Sequence, residues 1–338
     1  MKPCHKVASQ SPGTEGPDHM SETDTDHAPQ TTAPATIVAY KADWKHFTRW
    51  CRQHGLDPWP PSPDLVSQYI ADCASPKSKA PALSVSTLER RLSGLAWQYA
   101  QRGQQLDRSD ERIGAVLAEV RRQHAGPARQ KMAVQTQDIL AMVGTLSFGL
   151  RDMRDKAILL IGYAGGLRRS EIVGLDIRHG DTIDGHGWIE IEDQGAIAIL
   201  RGKTGWREVE IGRGSGEHTC PVHALETWVH FGKITSGPVF RQVSRDNQRT
   251  NAKRLNDKHV ARLIKRTVLA AGLHPELPER ERMAMYSGHS LRAGLATNAQ
   301  VEHLAAQKQR EHISSELPPR HRHTRARFRV NLTKAAGL

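Results

Sequence analysis

Hydrophobic side chains recur every three or four residues in the first part of the chain, the spacing of one face of a helix. The first such stripe begins after Thr36 and is aromatic, and Gly55 ends it. We interpret this stripe as core packing. Similar spacing predicts three more helices, over residues 63–74, 84–101 and 109–123. The aromatic stripe consists of Ile37, Tyr40, Trp44, Phe47 and Trp50.

The pattern changes in the second part of the chain, where strands join the helices. Three short segments alternate or run as strands, separated by turn residues, and helical spacing continues around them. The predicted fold class is therefore mainly α with a small three-stranded antiparallel sheet, an α+β arrangement. The helical segments are 152–164, 168–177, 222–232, 257–271 and 290–309, and the strands are GWIEIE (187–192), AIAIL (196–200) and REVEI (207–211).

Composition divides the chain into four parts. Residues 1–34 are rich in Ser, Thr, Pro, Gly and Asp and cannot bury enough apolar surface to offset the entropy of ordering. We therefore expect a disordered tail there, followed by a compact helical domain over residues 36–124. Residues 125–135 have the Gly, Pro and basic composition of a linker. A second domain then covers residues 136–338, beginning with a new helical pattern at Thr136.

The charge of the chain favours a polyanionic partner. Lys and Arg total 48 against 36 Asp and Glu, which gives a formal net charge of +12. Nucleic acid is the leading candidate, and an anionic membrane surface is the rival. The rival is weakened because we find no run of 18 or more apolar residues and no basic amphipathic helix with a bulky apolar face. The N-terminus also lacks the apolar core of a signal peptide, so we expect a soluble cytoplasmic protein without a membrane partner.

The four cysteines do not suggest a disulfide framework or a cysteine-built zinc site, because they are scattered and form no CxxC pair. The tightest metal-like cluster is HTCPVH, which contains His218, Cys220 and His223. It offers only short-range ligands and precedes an apolar helical pattern. The start of a helix explains this segment better than a metal site, and we expect no metal.

Three short motifs in the second domain become informative only together. In GGLRRSEIVGL, Arg168 and Glu171 lie one helical turn apart, and in SGHSLR, His289 and Arg292 do the same. Lys203 lies in the turn RGKTGW between two predicted strands. Taken singly, these are an ordinary helix start with an ion pair, a surface pair and a solvated turn lysine.

Their order and context resemble the tyrosine recombinases, the phage integrase family. The family has a first box G-L-R-x-x-E, a lysine on a hairpin and a second box H-x-x-R, which match Gly166 to Glu171, Lys203 and His289 to Arg292. TIVAYKADWKHFTRWC also looks like the opening helix of the family's N-terminal core-binding domain. The resemblance implies a helical core-binding domain over 36–124 that clamps DNA and a catalytic recombinase domain over 136–338.

The resemblance also implies a role for each matched residue. Arg168 and Arg292 would bind the non-bridging oxygens of a scissile phosphate with charge-assisted hydrogen bonds, and Glu171 would support Arg168. Lys203 would protonate the departing 5′ oxygen, while His289 would handle the proton of the nucleophile. The implied partner is double-stranded DNA, held by a homotetramer on two sites. No cofactor is implied, because a covalent intermediate keeps the energy of the phosphodiester bond.

The nucleophile of the family is missing from this chain. The family continues with a glycine-histidine pair, and its attacking tyrosine follows that histidine by nine positions. Here His312 takes the histidine position, Glu311 replaces the glycine, and the ninth residue onward is His321. None of the five tyrosines follows the second box, and Tyr286, which precedes it, would need a rearranged site. Pro318 and Pro319 also interrupt the expected helix, so the altered segment covers about 298–327.

The sequence leaves three interpretations of function. The first is a site-specific recombinase or integrase of a bacterial mobile element, with chemistry impaired at His321. The second is a non-catalytic DNA-binding protein that occupies recombination sites. The third is a metabolic enzyme acting on a small phosphate compound, but the chain has no GxxxxGK[ST] loop and no GxGxxG before a helix.

Overall fold

The computed structural model describes residues 32–75, 82–123, 130–202, 205–298, 328 and 330–338. The chain forms two compact units, Met1–Pro127 and Ala128–Leu338. Residues 1–31 of the predicted tail lie outside the described residues. No helix within the described ranges is both long enough and apolar enough to cross a membrane.

The described part of the first unit is built from four helices around one apolar core. α1 packs against α3, and α2 packs against α4. Phe47 and Trp50 of the aromatic stripe are buried in this core, which confirms that the stripe is packing surface. A Cβ on Gly94 would lie 3.0 Å from Tyr40 Cδ1, so a glycine here lets α3 approach α1 closely. The helices are α1 (Pro34–Gln53), α2 (Pro63–Ala74), α3 (Val85–Ala100) and α4 (Glu111–Gln123).

The second unit packs its helices around α6, which is almost wholly buried from Arg154 to its end at Ala164. α6 contacts α5, α8, α9 and α11, so it forms the centre of the core. The helices are α5 (Thr136–Gly144), α6 (Leu150–Ala164), α7 (Arg169–Val173), α8 (Pro221–Phe231), α9 (Lys258–Ala270), α10 (Glu279–Met285), α11 (Ser290–Ala296) and α12 (Leu332–Ala335).

A four-stranded sheet covers one side of these helices, with the strand order β1-β2-β3-β4. β2, β3 and β4 are antiparallel, whereas β1 pairs with β2 in parallel. In the register, Ile199 lies opposite Trp188 on one side and Glu208 on the other. The strands are β1 (Leu175–Asp176), β2 (Gly187–Glu192), β3 (Gly195–Gly202) and β4 (Gly205–Gly212), and a separate antiparallel pair is formed by β5 (Arg241–Val243) and β6 (Thr250–Arg254).

The α+β fold class and the three predicted strands are confirmed, but the predicted sheet was too small. β1 and the β5–β6 pair were not predicted from the sequence, because all three strands are short and carry no alternating pattern. β1 also depends on distant partners. The Leu175 carbonyl accepts a hydrogen bond from the Val239 N–H (2.9 Å), and Leu175 pairs with Gly187.

Two predicted helices are shorter than expected, the four-residue α12 was not predicted, and one helix of seven residues was missed as well. The helix predicted over 168–177 ends at Val173, because Gly174 caps it and the chain then enters β1. The helix predicted over 290–309 ends at Ala296, and residues 299–309 lie outside the described residues. The missed helix, α10, has no buried side chain, so its sequence shows no apolar face.

The segment just before α5 is hydrogen-bonded to the end of α10 and the start of α11. The Met132 N–H donates to the Met285 carbonyl (2.9 Å), and the Val134 N–H donates to the Ser290 carbonyl (3.0 Å). Val134 is fully buried. These contacts fix the start of α11, which carries the second box, relative to α5.

Residues 330–338 pack onto the same unit. The Ala336 carbonyl accepts a hydrogen bond from Thr136 Oγ1 (2.7 Å), and the Leu338 carbonyl accepts one from the Ser215 N–H (2.8 Å). Leu338 is buried in the main core. Asn298 Nδ2 also lies 3.4 Å from Thr136 Oγ1. The described residues on both sides of the 299–327 segment therefore meet at Thr136.

Candidate active site

The first box lies where α6 ends and α7 begins. Gly166 has a φ of +55°, a left-handed conformation that favours glycine, and the turn ends with Leu167 buried. Arg168 then takes the N-cap position of α7 with an extended backbone. Its side chain is 59% exposed, so the guanidinium faces outward from a rigid turn. This placement suits an arginine that binds an external anion.

The carboxylate of Glu171 binds both the side chain and the backbone N–H of Arg168 and so holds Arg168 in place. Oε1 of Glu171 accepts a hydrogen bond from Arg168 Nη1 (2.8 Å), and Oε2 accepts one from the Arg168 backbone N–H (2.8 Å). Oε2 also accepts a hydrogen bond from Nη2 of Arg207 on β4 (2.9 Å). Burial alone would raise the pKa of Glu171, but these hydrogen bonds outweigh it and lower the pKa below its usual value. The ionised carboxylate therefore orients the guanidinium of Arg168.

The second box lies at the start of α11 and contacts the first box directly. Arg292 is half-buried, and its Nη1 donates a hydrogen bond to the Gly166 carbonyl (2.8 Å). His289 is the N-cap residue of α11 and is exposed. Its ring makes no hydrogen bond to any described residue, so it is available to a ligand. The two boxes, far apart in sequence, meet at the Gly166 turn.

A second contact between the boxes lies beside the first. A Cβ on Gly288 would lie 2.9 Å from Arg169 Cδ, so the chain just before His289 packs directly on the Arg169 side chain. Arg169 in turn pairs with Asp257, with 3.1 Å between Nε and Oδ2. Close backbone approach at Gly288 therefore fixes the position of His289 relative to α7.

Three of the predicted site residues cannot be placed. Lys203 lies between Gly202 and Gly205, which face each other across the β3–β4 hairpin, but Lys203 itself lies outside the described residues. His312 and His321 also lie outside them. The described site therefore consists of Arg168, Glu171, His289 and Arg292, with Arg207 as an addition.

Tyr286 is the tyrosine nearest in sequence to the second box, and its surroundings do not suit a nucleophile. It is fully buried, and its hydroxyl lies 3.0 Å from Nε2 of His274. Burial raises the pKa of Tyr286 to about 12, and the nearby Asp138 adds to the rise. A neutral, buried phenol of this kind would have to leave the core to attack a phosphate.

The segment HTCPVH forms the start of a helix. Cys220 is the N-cap residue of α8, and its Sγ accepts a hydrogen bond from the His223 N–H (3.4 Å). The helix-start interpretation is thus confirmed. Within the described ranges, no three His, Cys, Asp or Glu side chains are grouped so that they could hold a metal ion.

The sequence analysis missed two parts of this site, Arg207 and the Gly166 carbonyl. Alternation along REVEI puts Arg207 on the same face as Val209 and Ile211, of which Ile211 is fully buried. A cation on the apolar face of a strand signals a carboxylate beneath the sheet, and this signal was available. The role of the Gly166 carbonyl could not be predicted from the sequence, because every residue has a backbone carbonyl.

The arrangement of the described residues suits the binding of a phosphate. The guanidinium of Arg292 contacts the Gly166 carbonyl, Arg168 follows this turn by two residues, and each guanidinium has N–H donors beyond those used by Glu171 and Gly166. Such forks match the geometry of phosphate oxygens. An exposed imidazole at the edge of the same site could transfer a proton.

Comparison with known proteins agrees with this chemistry. Residues 133–324 match the family model described as "Phage integrase family". An integrase/recombinase xerD homolog from Selenomonas ruminantium is 29% identical over 301 residues, covering 86% of this chain and 81% of that protein. Tyrosine recombinase XerC from Escherichia coli O139:H28 is 26% identical over 164 residues, covering 46% of this chain and 50% of the relative. The match thus spans about half the length of XerC.

Among solved structures, the XerH site-specific recombinase in a post-cleavage complex with its palindromic difH substrate resembles this chain with a TM-score of 0.47. The two are 12% identical, and the alignment covers 85% of this chain and 76% of XerH. The matched family region, residues 133–324, is more than half of the 338 residues and contains all the predicted site residues. The chain therefore belongs to the phage integrase family of tyrosine recombinases, enzymes that cut and rejoin DNA strands.

Proposed function

We propose that this chain is a site-specific DNA recombinase or integrase of a bacterial mobile element, and that its strand cleavage is impaired. The observation that carries the proposal is the hydrogen bond from Arg292 to the Gly166 carbonyl. It joins the two boxes and puts two guanidinium groups at one turn. A phosphodiester held there would have its non-bridging charge balanced by both arginines. The net charge of +12 supports double-stranded DNA as the source of that phosphate.

Each site residue then has a task in phosphoryl transfer. Arg168 and Arg292 bind the non-bridging oxygens, and Glu171 positions Arg168. A nucleophile attacks phosphorus, the bond to the 5′ oxygen breaks, and Lys203 supplies the proton that makes the leaving group a hydroxyl. His289 accepts or orients the proton of the nucleophile, and His312 supports the phosphate beside it.

The weak point is the nucleophile position, which His321 occupies in place of tyrosine. An imidazole can form a phosphoryl intermediate through a ring nitrogen, so the replacement of an attacking oxygen by nitrogen does not by itself prevent attack on phosphorus. Its pKa of about 6.5 differs from about 10 for a phenol, and its reach and leaving-group behaviour differ as well. Cleavage by this sequence is therefore slow or lost, although the phosphate-binding residues remain.

The assembly that we propose is a homotetramer on two DNA sites, bound to DNA in the cytoplasm of a bacterium. The integrase/recombinase xerD homolog, which matches over most of its length, supports the bacterial context and carries no information on the number of protomers. In this proposal, the helical core-binding domain and the recombinase domain each contact the duplex.

A non-catalytic DNA-binding protein is the second candidate function. Two observations favour it: His321 replaces the nucleophile, and Tyr286 is buried against His274 with a raised pKa. Such a protein would occupy recombination sites and regulate the element without cutting DNA.

Covalent capture distinguishes the two functions. The purified protein and a His321→Tyr variant are each mixed with nicked duplex fragments from the flanks of the gene, and adducts are sought on denaturing gels. Adducts with the original protein would mean that His321 or another group attacks phosphorus. Adducts with the variant alone would mean an intact site without its nucleophile. Specific binding without any adduct would support the non-catalytic function, and the absence of specific DNA binding would contradict both.

A further inference from the structure

Among the residues that the structure describes, Arg207 is the charged residue of the sheet that contacts Glu171. It lies on β4, whereas Arg168 and Glu171 lie at the start of α7. Its Nη2 donates to the same oxygen, Oε2, that accepts the backbone N–H of Arg168. One carboxylate thus joins a helix start to a strand of the hairpin on which Lys203 lies.

The direction of Arg207 follows from the register of β4. Arg207 lies opposite Leu200 of β3, which is fully buried, and it shares a face with the buried Ile211. The neighbours in sequence, Trp206 and Glu208, point to the opposite face and are exposed. The guanidinium therefore points beneath the sheet, where Glu171 supplies the carboxylate that a half-buried cation requires.

Glu171 depends on Arg207 for its charge and its position. Its side chain is only 10% exposed, and burial favours the neutral acid. The hydrogen bonds from Arg168 and Arg207 reverse this preference. Arg168 is more exposed than Arg207, which lies beneath the sheet and gives Glu171 a second cation besides the one that we assign to the phosphate.

We infer that Arg207 is a positioning residue for the site: it keeps Glu171 ionised and in place, so that Arg168 is already directed outward before DNA binds. This inference rests on the proposed function, which assigns Arg168 to the scissile phosphate. Arg207 also ties Arg168 to the β3–β4 ladder, four residues from Lys203.

The test compares three variants of the full chain: Arg207→Gln, Arg207→Lys and Arg201→Gln. Arg201 is the matched control, because it lies on β3 of the same hairpin, is exposed and points to the opposite face of the sheet. The pKa of Glu171 is followed by carboxyl ¹³C NMR on glutamate-labelled protein without DNA. We expect this pKa to rise in Arg207→Gln, to stay close to the original in Arg207→Lys, and to be unchanged in Arg201→Gln.

A second measurement addresses the role in catalysis. Each substitution is combined with His321→Tyr, and covalent capture of nicked duplexes is timed. We expect Arg207→Gln to slow capture by about tenfold or more while DNA affinity changes by less than about threefold, and Arg207→Lys to restore most of the rate. If the substitutions at Arg207 acted only by disturbing the fold, DNA affinity and the capture rate would change together.

The outcomes separate this inference from the proposed function. An unchanged pKa of Glu171 in Arg207→Gln, or an equal rise of this pKa in Arg201→Gln, overturns the positioning role regardless of the results for DNA affinity and capture. A raised pKa with unchanged capture also overturns it, because Arg168 would then not depend on Glu171. If no variant binds or captures DNA, the proposed function fails, and the NMR result alone still decides whether Arg207 sets the charge of Glu171.

Discussion

Arg292 donates a hydrogen bond from Nη1 to the carbonyl oxygen of Gly166 at 2.8 Å, and this bond links two segments 126 positions apart in sequence. The carbonyl is available because Gly166 adopts a left-handed conformation at the end of α6. The bond uses one of the five N–H donors of the guanidinium and leaves the others for a ligand. Arg292 therefore connects the two boxes and keeps further N–H donors for the phosphate that we propose it binds.

Replacing either arginine of the site should stop strand cleavage without removing DNA binding. Arg292→Lys loses the planar fork, and Arg168→Ala loses the charge, so any cleavage should fall by about 100-fold or more. DNA affinity should change by less than about fivefold, because many other cations contact phosphate. Capture gels and filter binding, with exposed Arg178→Ala as the control, check both quantities. Undiminished cleavage in either variant would remove the roles that we assign.

DNA binding by this chain should be strongly salt-dependent. Counterions are released when Lys and Arg meet phosphates, so contact with about six phosphates predicts a loss of about a thousandfold in affinity between about 50 and about 200 mM salt. Fluorescence anisotropy with a labelled duplex, repeated over a salt series, gives the slope. A flat response would contradict both DNA-binding functions and favour a small phosphate compound as the ligand.

Gly294 should tolerate no side chain. It lies on α11, where a Cβ would lie 1.9 Å from the Val134 carbonyl oxygen, a backbone atom that cannot move aside. We expect Gly294→Ala to lower the free energy of unfolding by at least about 1–3 kcal/mol. Gly144→Ala in α5 is the control, because nothing lies within 4 Å of its Cβ position. That variant should stay within about 0.5 kcal/mol of the original. Chemical denaturation measures both, and equal stabilities would refute the packing argument.

The buried carboxylate of Asp155 should be essential to the stability of the second unit. It is fully buried and accepts hydrogen bonds from Arg154 Nη2 (2.7 Å) and Arg266 Nη2 (2.7 Å), and it lies 3.0 Å from His259 Nε2. Asp155→Asn removes the charge and leaves Arg154 buried without a counterion, which should cost about 3–5 kcal/mol. Denaturant unfolding tests this, with exposed Asp193→Asn as the control. A loss no larger than that of the control would contradict it.

The same carboxylate predicts how stability changes with pH. Burial alone would raise the pKa of Asp155, but the hydrogen bond from His259 and the charge of Arg154 lower it below the usual value. A carboxyl with a depressed folded pKa stabilises the protein above its unfolded pKa of about 3.9 and loses that contribution as pH falls through the folded pKa. Unfolding measured from about pH 6 to about pH 3 should therefore show a steeper acid loss for the original protein than for the Asp155→Asn variant. If the free energy of unfolding fell with pH equally steeply in both proteins, another group would be responsible for the loss of stability in acid.

Much of the site could be predicted from local patterns, because each box is a single helical turn. Arg168 with Glu171 and His289 with Arg292 need only the three-residue spacing that puts side chains on one face. The ion pair between Arg168 and Glu171 is present as that spacing predicts. Local patterns likewise predicted three strands of the sheet: β2 and β4 alternate in polarity, whereas β3 is a continuous apolar run because both of its faces are buried.

Other features could not be predicted, because they depend on segments that are remote in sequence. β1 is two residues long and exists only because Leu175 pairs with Gly187 and bonds to Val239. Neither partner can be recognised from local sequence. Helical spacing continues past Gly174, so the sequence predicted a helix over the whole of 168–177. The short β5 and β6 have no apolar face and were missed for the same reason.

The sequence by itself determined the family, the two boxes from which we infer the chemistry and the histidine at position 321, where the resemblance leads us to expect a tyrosine, since all three depend on residue identity and spacing. Only the tertiary structure decided that Arg292 meets the Gly166 carbonyl and that Arg207 shares the carboxylate of Glu171. A hydrogen bond between distant segments needs the backbone of both to be held within about 3 Å, and only the packed core around α6 imposes that distance.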